Sequence, residues 1–256
     1  TFAFLGQLRS TPAVGAVALL DSHAYAGAGT SGLEVLDLTY PGTALPLLTF
    51  GAGESHSGVG RYDLGQNLSW SGHAASLTYT VYDLGNPLLP VERLSGSLSG
   101  WMEAPGVGLA DAEGELLGLS FYSGGPLVHT VYDMAYSPPR SASVPYWNAS
   151  LDLIGEIAWV KTEESNLVAL DCGALPALPV LGQLAIGQTH FLASADAACL
   201  LTWSSPYTLQ GLDLSDPATP SAGGSVTLPA APTAAKAVFG TRAYIVCGNG
   251  SLVVVE

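Results

Sequence analysis

Positive charge is the property this sequence has least of. Lysine and arginine together number 7, against 21 aspartates and glutamates, so the 256-residue chain has a formal charge of −14. Nucleic acids are bound by cationic side chains that replace the counterions of the phosphates, and anionic membrane surfaces attract basic segments. The sequence therefore predicts no nucleic-acid partner and no attachment to an anionic membrane.

Cysteine and long apolar runs are also scarce. The 3 cysteines have neither a Cys-x-x-Cys nor a Cys/His spacing, which argues against a zinc site and against a disulfide framework. One disulfide, Cys172–Cys199, is conceivable, because the repeats described below place both residues at the same end of adjacent units. No apolar run reaches the about 18 residues of a membrane helix without glycine, proline or charge, so we predict no membrane insertion.

A repeat of short apolar runs, each closed by an acid, organises the chain. Every internal run is followed within a few residues by proline, which fixes φ, lacks an N–H and therefore ends a strand and favours a turn. We expect each aspartate to accept hydrogen bonds from backbone amides of its turn. The runs read LEVLD, YTVYD, HTVYD, LVALD, LQGLD and LVVVE, and they end at Asp37, Asp83, Asp133, Asp171, Asp213 and Glu256.

Each repeat of about 40–45 residues has room for four short strands, here called a, b, c and d. Turn-forming segments such as YSGGP, KTEESN and CGNGS separate a large apolar residue on strand b from strand c. We predict that this residue lies in the core, and only Ser71 breaks the column. The column contains Tyr25, Phe121, Trp159, Leu201 and Tyr244. No long i, i+3, i+4, i+7 pattern supports a helix.

The segment FLGQL at 4–8 nearly repeats VLGQL at 180–184, which follows a proline turn as strand d. The last repeat lacks a strand d after Glu256, so residues 1–8 are predicted to pair beside SLVVVE and to close a ring, which leaves no open edges. The fold class is all-β, and we predict one six-bladed β-propeller domain over 1–256. The predicted blades span approximately 9–52, 53–98, 99–147, 148–186, 187–229, and 230–256 with 1–8.

The amino-acid sequence of the repeats resembles that of a known family. The stretches HAYAGAGTSGLEVLDLTYPGTALPLLTF and LQGLDLSDPATP, and SLVVVE after RAYIVCGNG, are similar to the LVIVD-repeat β-propellers. The resemblance spans essentially the whole chain and weakens in the second and third repeats, where strand b carries polar insertions. It implies a propeller fold and an exported protein, extracellular or at the cell surface, and it supplies no catalytic residues.

Aromatic and acidic residues gather in the d–a and b–c connections, which share one face of a propeller. Loops held by a rigid scaffold often carry function, and exposed aromatics beside carboxylates suit sugar rings, cationic groups or protein interfaces. We therefore expect this rim to bind a protein or glycan partner without catalysis, although some of these aromatics could instead fill gaps between blades. The rim residues are Glu54, His56, Trp101, Glu103, Tyr122, Tyr146, Trp147, Glu163, Glu164, Trp203 and Tyr207.

Two alternatives remain open on the sequence alone. Glu54, Glu103, Glu163, Glu164 and His56 could meet at the channel mouth, hold calcium or serve as acid and base in a metal-assisted hydrolase or lyase. No cofactor is otherwise predicted. The high apolar content would also suit a structural subunit of a larger assembly.

Smaller predictions concern charged residues near the first two strands of the repeats. Arg61 and Lys236 are assigned to inner strands and point toward the channel, where each attracts an anion or pairs with an acid. Four aspartates near the a–b hairpins are assigned to turn formation. They are Asp21, Asp63, Asp111 and Asp196.

Overall fold

The computed structural model consists of β-strands joined by short turns. It describes residues 16–20, 22–27, 31–39, 45–59, 61–86, 88–101, 105–122, 124–147, 149–187, 189–194, 197–202 and 204–256. No helix in this part of the chain is long and apolar enough to cross a membrane. The described residues fall into two compact units, divided between Ser143 and Val144. The prediction of a single domain stays a prediction.

The first unit contains three four-stranded antiparallel sheets. In chain order the first sheet has β1 Ala16–Leu20, β2 His23–Gly27, β3 Leu33–Asp37 and β4 Leu45–Phe50. The second has β5 Ser55–Val59, β6 Tyr62–Ser71, β7 Ala74–Asp83 and β8 Val91–Trp101, so β8 runs beyond the predicted blade boundary at 98. The third has β9 Gly106–Glu113, β10 Leu116–Tyr122, β11 Val128–Asp133 and β12 Arg140–Ser143.

The second unit contains two four-stranded sheets and, within the described residues, one three-stranded sheet. The fourth sheet has β13 Ser150–Ile154, β14 Ile157–Lys161, β15 Asn166–Asp171 and β16 Val180–Ala185. The fifth has β17 Thr189–Ala193, β18 Ala198–Thr202, β19 Thr208–Asp213 and β20 Ser221–Thr227. The sixth has β21 Pro232–Phe239, β22 Arg242–Cys247 and β23 Leu252–Val255.

The acid that closes each internal repeat forms the predicted turn. Oδ1 of Asp37, for example, accepts a hydrogen bond from the backbone N–H two residues later at 2.7 Å, and Oδ1 of Asp83 does so at 2.9 Å. The same contact recurs at Asp133, Asp171 and Asp213. This geometry satisfies a backbone donor as strand c ends, which explains why aspartate recurs there.

A shift in register recurs just before the acid. The c–d pairing slips between Val35 and Leu36 in the first sheet, between Val81 and Tyr82 in the second, and between Ala169 and Leu170 in the fourth. The fifth sheet has the same irregularity between 210 and 212. Bulges bend a strand and increase its twist. The register shift before the aspartate therefore gives these sheets a similar bend and twist. This agrees with the prediction of propeller-like sheets.

The apolar column of strand b lies mostly in the core, as predicted. Tyr25, Trp159 and Leu201 are buried. In the second sheet Leu64 takes this place, because it pairs with Val81, two residues before the acid, as Tyr25 pairs with Val35. The interruption at Ser71 arises because the b–c hairpin of this sheet is longer than those of its neighbours.

Candidate functional site

The predicted rim residues that the structure describes lie at one end of their respective sheets. Because the four strands of a sheet are antiparallel and follow in chain order, the start of a, the end of b, the start of c and the end of d share that end. Trp147 is 65% exposed, Tyr122 and Glu163 are exposed, and Tyr207 packs against the cluster around Leu209. Trp101 is the last residue of β8, while Glu103 and Trp203 lie outside the described residues.

Glu54 and His56 belong to a compact polar cluster in the second sheet. His56 Nδ1 is 2.6 Å from Oδ2 of Asp63, and its Nε2 is 3.1 Å from the carbonyl oxygen of Gly51. Glu54 Oε2 is 3.8 Å from the same Nε2 and accepts a hydrogen bond from Tyr82 at 3.1 Å. Both ring nitrogens therefore face acceptors, which is the arrangement of a doubly protonated imidazolium.

The prediction that Asp63 forms a turn is wrong. This residue lies in β6, is fully buried and faces His56 across the β5–β6 pair. Its Oδ1 is buried and has no hydrogen-bond partner among the described residues. A buried carboxylate left partly unsatisfied is costly, so a close cation is needed to hold it there.

The electrostatics of the cluster follow from this burial. Burial lowers the pKa of His56, but the hydrogen bond and charge of Asp63, helped by the Gly51 carbonyl and Glu54, outweigh it and raise this pKa above its usual value. Burial raises the pKa of Asp63, and the contact with His56 only partly offsets the shift. Burial and the nearby charge of Glu54 raise the pKa of Tyr82 to about 12. Tyr82 is therefore a stable donor at neutral pH.

This cluster holds a turn rather than presenting a reactive group. A general base needs a free nitrogen within reach of a substrate, and His56 has both nitrogens occupied and a side chain with no exposed surface. Gly51 has a φ of +66°, and a Cβ there would lie 2.5 Å from the His56 ring. The imidazole thus packs directly on the backbone of the 51–54 turn and fixes it.

Arg61 lies in the turn between β5 and β6, so its assignment to an inner strand is wrong. The turn between β5 and β6 comes earlier in the chain than the assignments of Arg61 and Asp63 imply, since the register pairs Val59 with Tyr62. Two nitrogens of the guanidinium donate to the two carboxylate oxygens of Asp83, each at 2.6 Å, and the third donates to Glu115 at 2.6 Å. The hydrogen bond to Asp83 raises the pKa of Arg61.

The remaining charged candidates occupy separate places. Lys236 lies in β21, the first strand of its sheet. Burial lowers the pKa of His190, and the charges of Lys236 and Lys161 lower it further. In the part of the chain that the structure describes, no group of three or more His, Cys, Asp or Glu side chains is arranged to hold a metal ion.

The cysteines are buried thiols. Cys172, Cys199 and Cys247 are all free, so the conceivable Cys172–Cys199 disulfide does not form. Cys199 and Cys247 lie in the same apolar cluster as Leu201 and Ile245. Their role is that of small apolar side chains.

The b–c hairpin of the second sheet is a feature that the sequence interpretation missed. β6 and β7 pair from Tyr62–Asp83 to Ser71–Ala74, well beyond the last pair of β5 with β6, Ser55–Gln66. Trp70 on this extension is 54% exposed. The signal is the alternation of polar and apolar residues in NLSWSGHAASLTYTVYD, where the repeat pattern alone indicates only a polar insertion.

Comparisons with known proteins identify a fold. No protein-family model matches this chain, and no curated protein matches its sequence. A chain in the crystal structure of the mitotic checkpoint complex is 15% identical, with a TM-score of 0.57 over 98% of this chain and 76% of that chain. At this identity the likeness concerns the fold alone.

Further solved structures are similar at lower scores. Sqt1 of Saccharomyces cerevisiae is 10% identical, with a TM-score of 0.47 over 95% of this chain and 82% of that one. BamB of Moraxella catarrhalis is 11% identical, with a TM-score of 0.46 over 95% of this chain and 85% of that one. Both are β-propeller proteins.

Proposed function

We propose that the six sheets are the blades of one six-bladed propeller of the LVIVD-repeat kind, and that residues 1–8 provide the fourth strand of the last blade. The support comes from β23. Leu252 and Val254 are 60% and 50% exposed on a strand that has one partner among the described residues. An uncovered apolar edge of this kind favours aggregation, so it calls for a covering strand.

The fourth sheet supplies the register for that strand. There VLGQL forms β16 beside NLVALD, Gln183 pairs with Val168, and the equivalents of Leu252 and Val254, namely Leu167 and Ala169, are buried. Matching FLGQL to VLGQL and SLVVVE to NLVALD sets Gln7 opposite Val253. The same match sets Leu8 opposite Leu252.

On this ring we propose a non-enzymatic interaction module, exported as the LVIVD resemblance implies, that binds a protein or a glycan through the rim of d–a and b–c segments. The observation that carries the proposal is the exposure of Trp147, Tyr122 and Trp70, each at that end of its sheet. Aromatic side chains in solvent are available to stack on sugar rings or to anchor a protein interface. The hydrolase alternative draws no support from Glu54 and His56, because they bind each other and the 51–54 turn.

A second candidate, a subunit of a larger assembly, has its own observation. Leu88 and Leu89 on the proline turn of the second sheet and Val91 at the start of β8 are all exposed, at the opposite end from the rim. Neighbouring apolar side chains in solvent are typical of a protein contact. Light scattering across a concentration series measures whether the protein associates. Association of the wild type that Leu88→Ser abolishes would support this candidate.

The rim proposal is tested by binding with matched variants. Candidate ligands come from a glycan array and from a displayed library of protein domains, and each hit is titrated against the wild type, Trp147→Ser, Tyr122→Ser and the control Leu88→Ser. We expect the rim variants to weaken binding by about tenfold or more, as truncation of an aromatic anchor does, and the control to bind as the wild type does. Hits weakened only by Leu88→Ser, or no hit in either screen, would contradict the proposal.

A further inference from the structure

The second sheet leaves part of β6 paired on one side only. β6 pairs with β7 along its whole length, whereas β5 pairs with it only over Tyr62–Gln66. Within the described residues, Asn67–Ser71 therefore have a strand partner on the β7 side and none on the other. We call the unpaired side of Asn67–Ser71 the free edge.

The free edge exists because the chain turns away before β5 begins. Gly51 and Gly53 have positive φ angles of 66° and 95°, and the N–H of Glu54 donates to the Gly51 carbonyl at 3.1 Å. His56, held by Asp63, binds the same carbonyl. The buried cluster thus holds residues 51–54 in a turn. These residues therefore do not extend β5 alongside Asn67–Ser71.

The chemistry of the free edge favours an added strand. Natural edge strands are commonly protected by charged residues or proline, and Asn67–Ser71 contain neither. Leu68 and Trp70 are 44% and 54% exposed, and they pair with the buried residues Leu77 and Ala75. A row of backbone donors and acceptors beside an apolar strip matches an extended peptide with apolar residues at every second position.

The charge nearby indicates which peptide. Glu54 Oε2 packs against the backbone of Gly65, next to Gln66, and its carboxylate is partly exposed, so it lies near the point where an added strand would meet β5. A cationic residue at that end of the peptide would be favoured. A second copy of this chain is disfavoured, because each copy carries a charge of −14.

We propose that the free edge of β6 accepts an extended segment of a partner protein as an additional strand, with alternating apolar residues over Leu68 and Trp70 and a basic residue beside Glu54. This proposal deepens the interaction-module function and rests on it. Backbone pairing supplies affinity in such complexes, and the alternate side chains supply specificity.

The test uses fluorescein-labelled decapeptides in which valine alternates with threonine. Two carry a pair of arginines, one at the N-terminus and one at the C-terminus, to allow for either strand direction. Two controls match them: one has glutamates instead of arginines, and the other is N-methylated at alternate residues, which removes backbone donors and keeps the side chains. Anisotropy measures affinity, and hydrogen exchange reports which backbone amides become protected.

We expect an arginine peptide to bind with a Kd below about 1 mM, to protect amides within 67–71, and to lose at least about tenfold in affinity on N-methylation or on exchange of arginine for glutamate. Trp70→Thr should weaken binding by a similar factor. Val180→Thr, which alters a similarly exposed apolar side chain on β16, should not.

Four results would overturn the proposal. They are equal binding of the N-methylated peptide, protection confined to other amides, protection in the free protein of those amides of 67–71 that do not bond to β7, and a dimer that Trp70→Thr dissociates. Each leaves the rim proposal open, since hits from the glycan array and the domain library can still depend on Trp147 and Tyr122. Conversely, loss of those hits with peptide binding retained would contradict the rim while supporting the free edge.

Discussion

His56 and Asp63 form a buried ion pair, with Nδ1 of the imidazole 2.6 Å from Oδ2 of the carboxylate and both side chains almost fully enclosed. The pair joins the first two strands of the second sheet, and through Nε2 it also fixes the carbonyl of Gly51. The 51–54 turn and the pairing of β5 with β6 therefore both depend on the imidazole of His56, which binds a proton.

The pair makes stability depend on pH. The pKa of His56 is raised in the folded state, so the folded protein binds its proton more tightly than the unfolded chain does. This contribution is complete below the unfolded pKa of about 6.5 and is lost as pH rises through the higher folded pKa. We predict that urea unfolding at pH 6 and at pH 8.5 gives a smaller free-energy difference between the wild type and His56→Gln at the higher pH.

At pH 6 the His56→Gln substitution should cost about 3 kcal/mol, because it leaves Asp63 buried without its cation. His190→Gln is the matched control. The pKa of His190 is lowered, chiefly by burial, so its own effect on stability lies below about pH 6.5 and has the opposite sign. A His56→Gln cost that stays constant between the two pH values would contradict the imidazolium assignment.

Arg61 should be more important for stability than a typical surface arginine. Its planar group donates to both oxygens of Asp83 and also to Glu115, a geometry that lysine cannot reproduce. Since the side chain is partly exposed, we predict a loss of about 1 kcal/mol for Arg61→Lys in urea unfolding.

Arg242→Lys provides the comparison for this measurement. Arg242 is well exposed and has a single longer contact of 3.5 Å, with Glu256. We expect its free energy of unfolding to change by less than about 0.5 kcal/mol. Equal losses for the two variants would show that the Arg61 network contributes nothing beyond an ordinary surface pair.

The three thiols should be unreactive in the folded protein. Burial raises the pKa of Cys172 to about 12 and that of Cys199 to about 11, so neither of these two forms appreciable thiolate at pH 8, and Cys247 is buried. We predict that Ellman's reagent detects no thiol in the native protein and three after denaturation without reductant. Only one reactive thiol in the denatured protein would reveal a disulfide and contradict the structure.

The repeated elements of the fold could be predicted from the sequence, and the polar clusters could not. Each aspartate turn follows from local chemistry, because the carboxylate, the turn amide and the proline are within a few residues of one another. The His56–Asp63 pair depends on the β5–β6 register, which places His56 opposite Gly65 and brings Asp63 beside it. Asp63 near a hairpin looks like any turn aspartate until that register is known.

Arg61 illustrates the same limit. The pattern did not reveal that the β5–β6 hairpin turns directly after Val59, and a shift of one or two residues moves a side chain from strand to turn. The free edge of β6 was missed for a different reason. Its existence depends on where β5 begins, which the glycines at 51 and 53 and His56 determine together.

We propose that Thr1–Leu8 completes the last sheet, and both the ring and its rim depend on this pairing. The most direct test is a double variant, Gln7→Cys with Val253→Cys, oxidised under native conditions and compared with Gln7→Cys paired with Val168→Cys in the fourth sheet. Opposed residues in antiparallel strands lie about 4.5–5.5 Å apart at Cα, within reach of a disulfide. We predict rapid, nearly complete cross-linking of 7 with 253, seen by peptide mapping, and none of 7 with 168; failure of the 7–253 pair to cross-link would contradict the account.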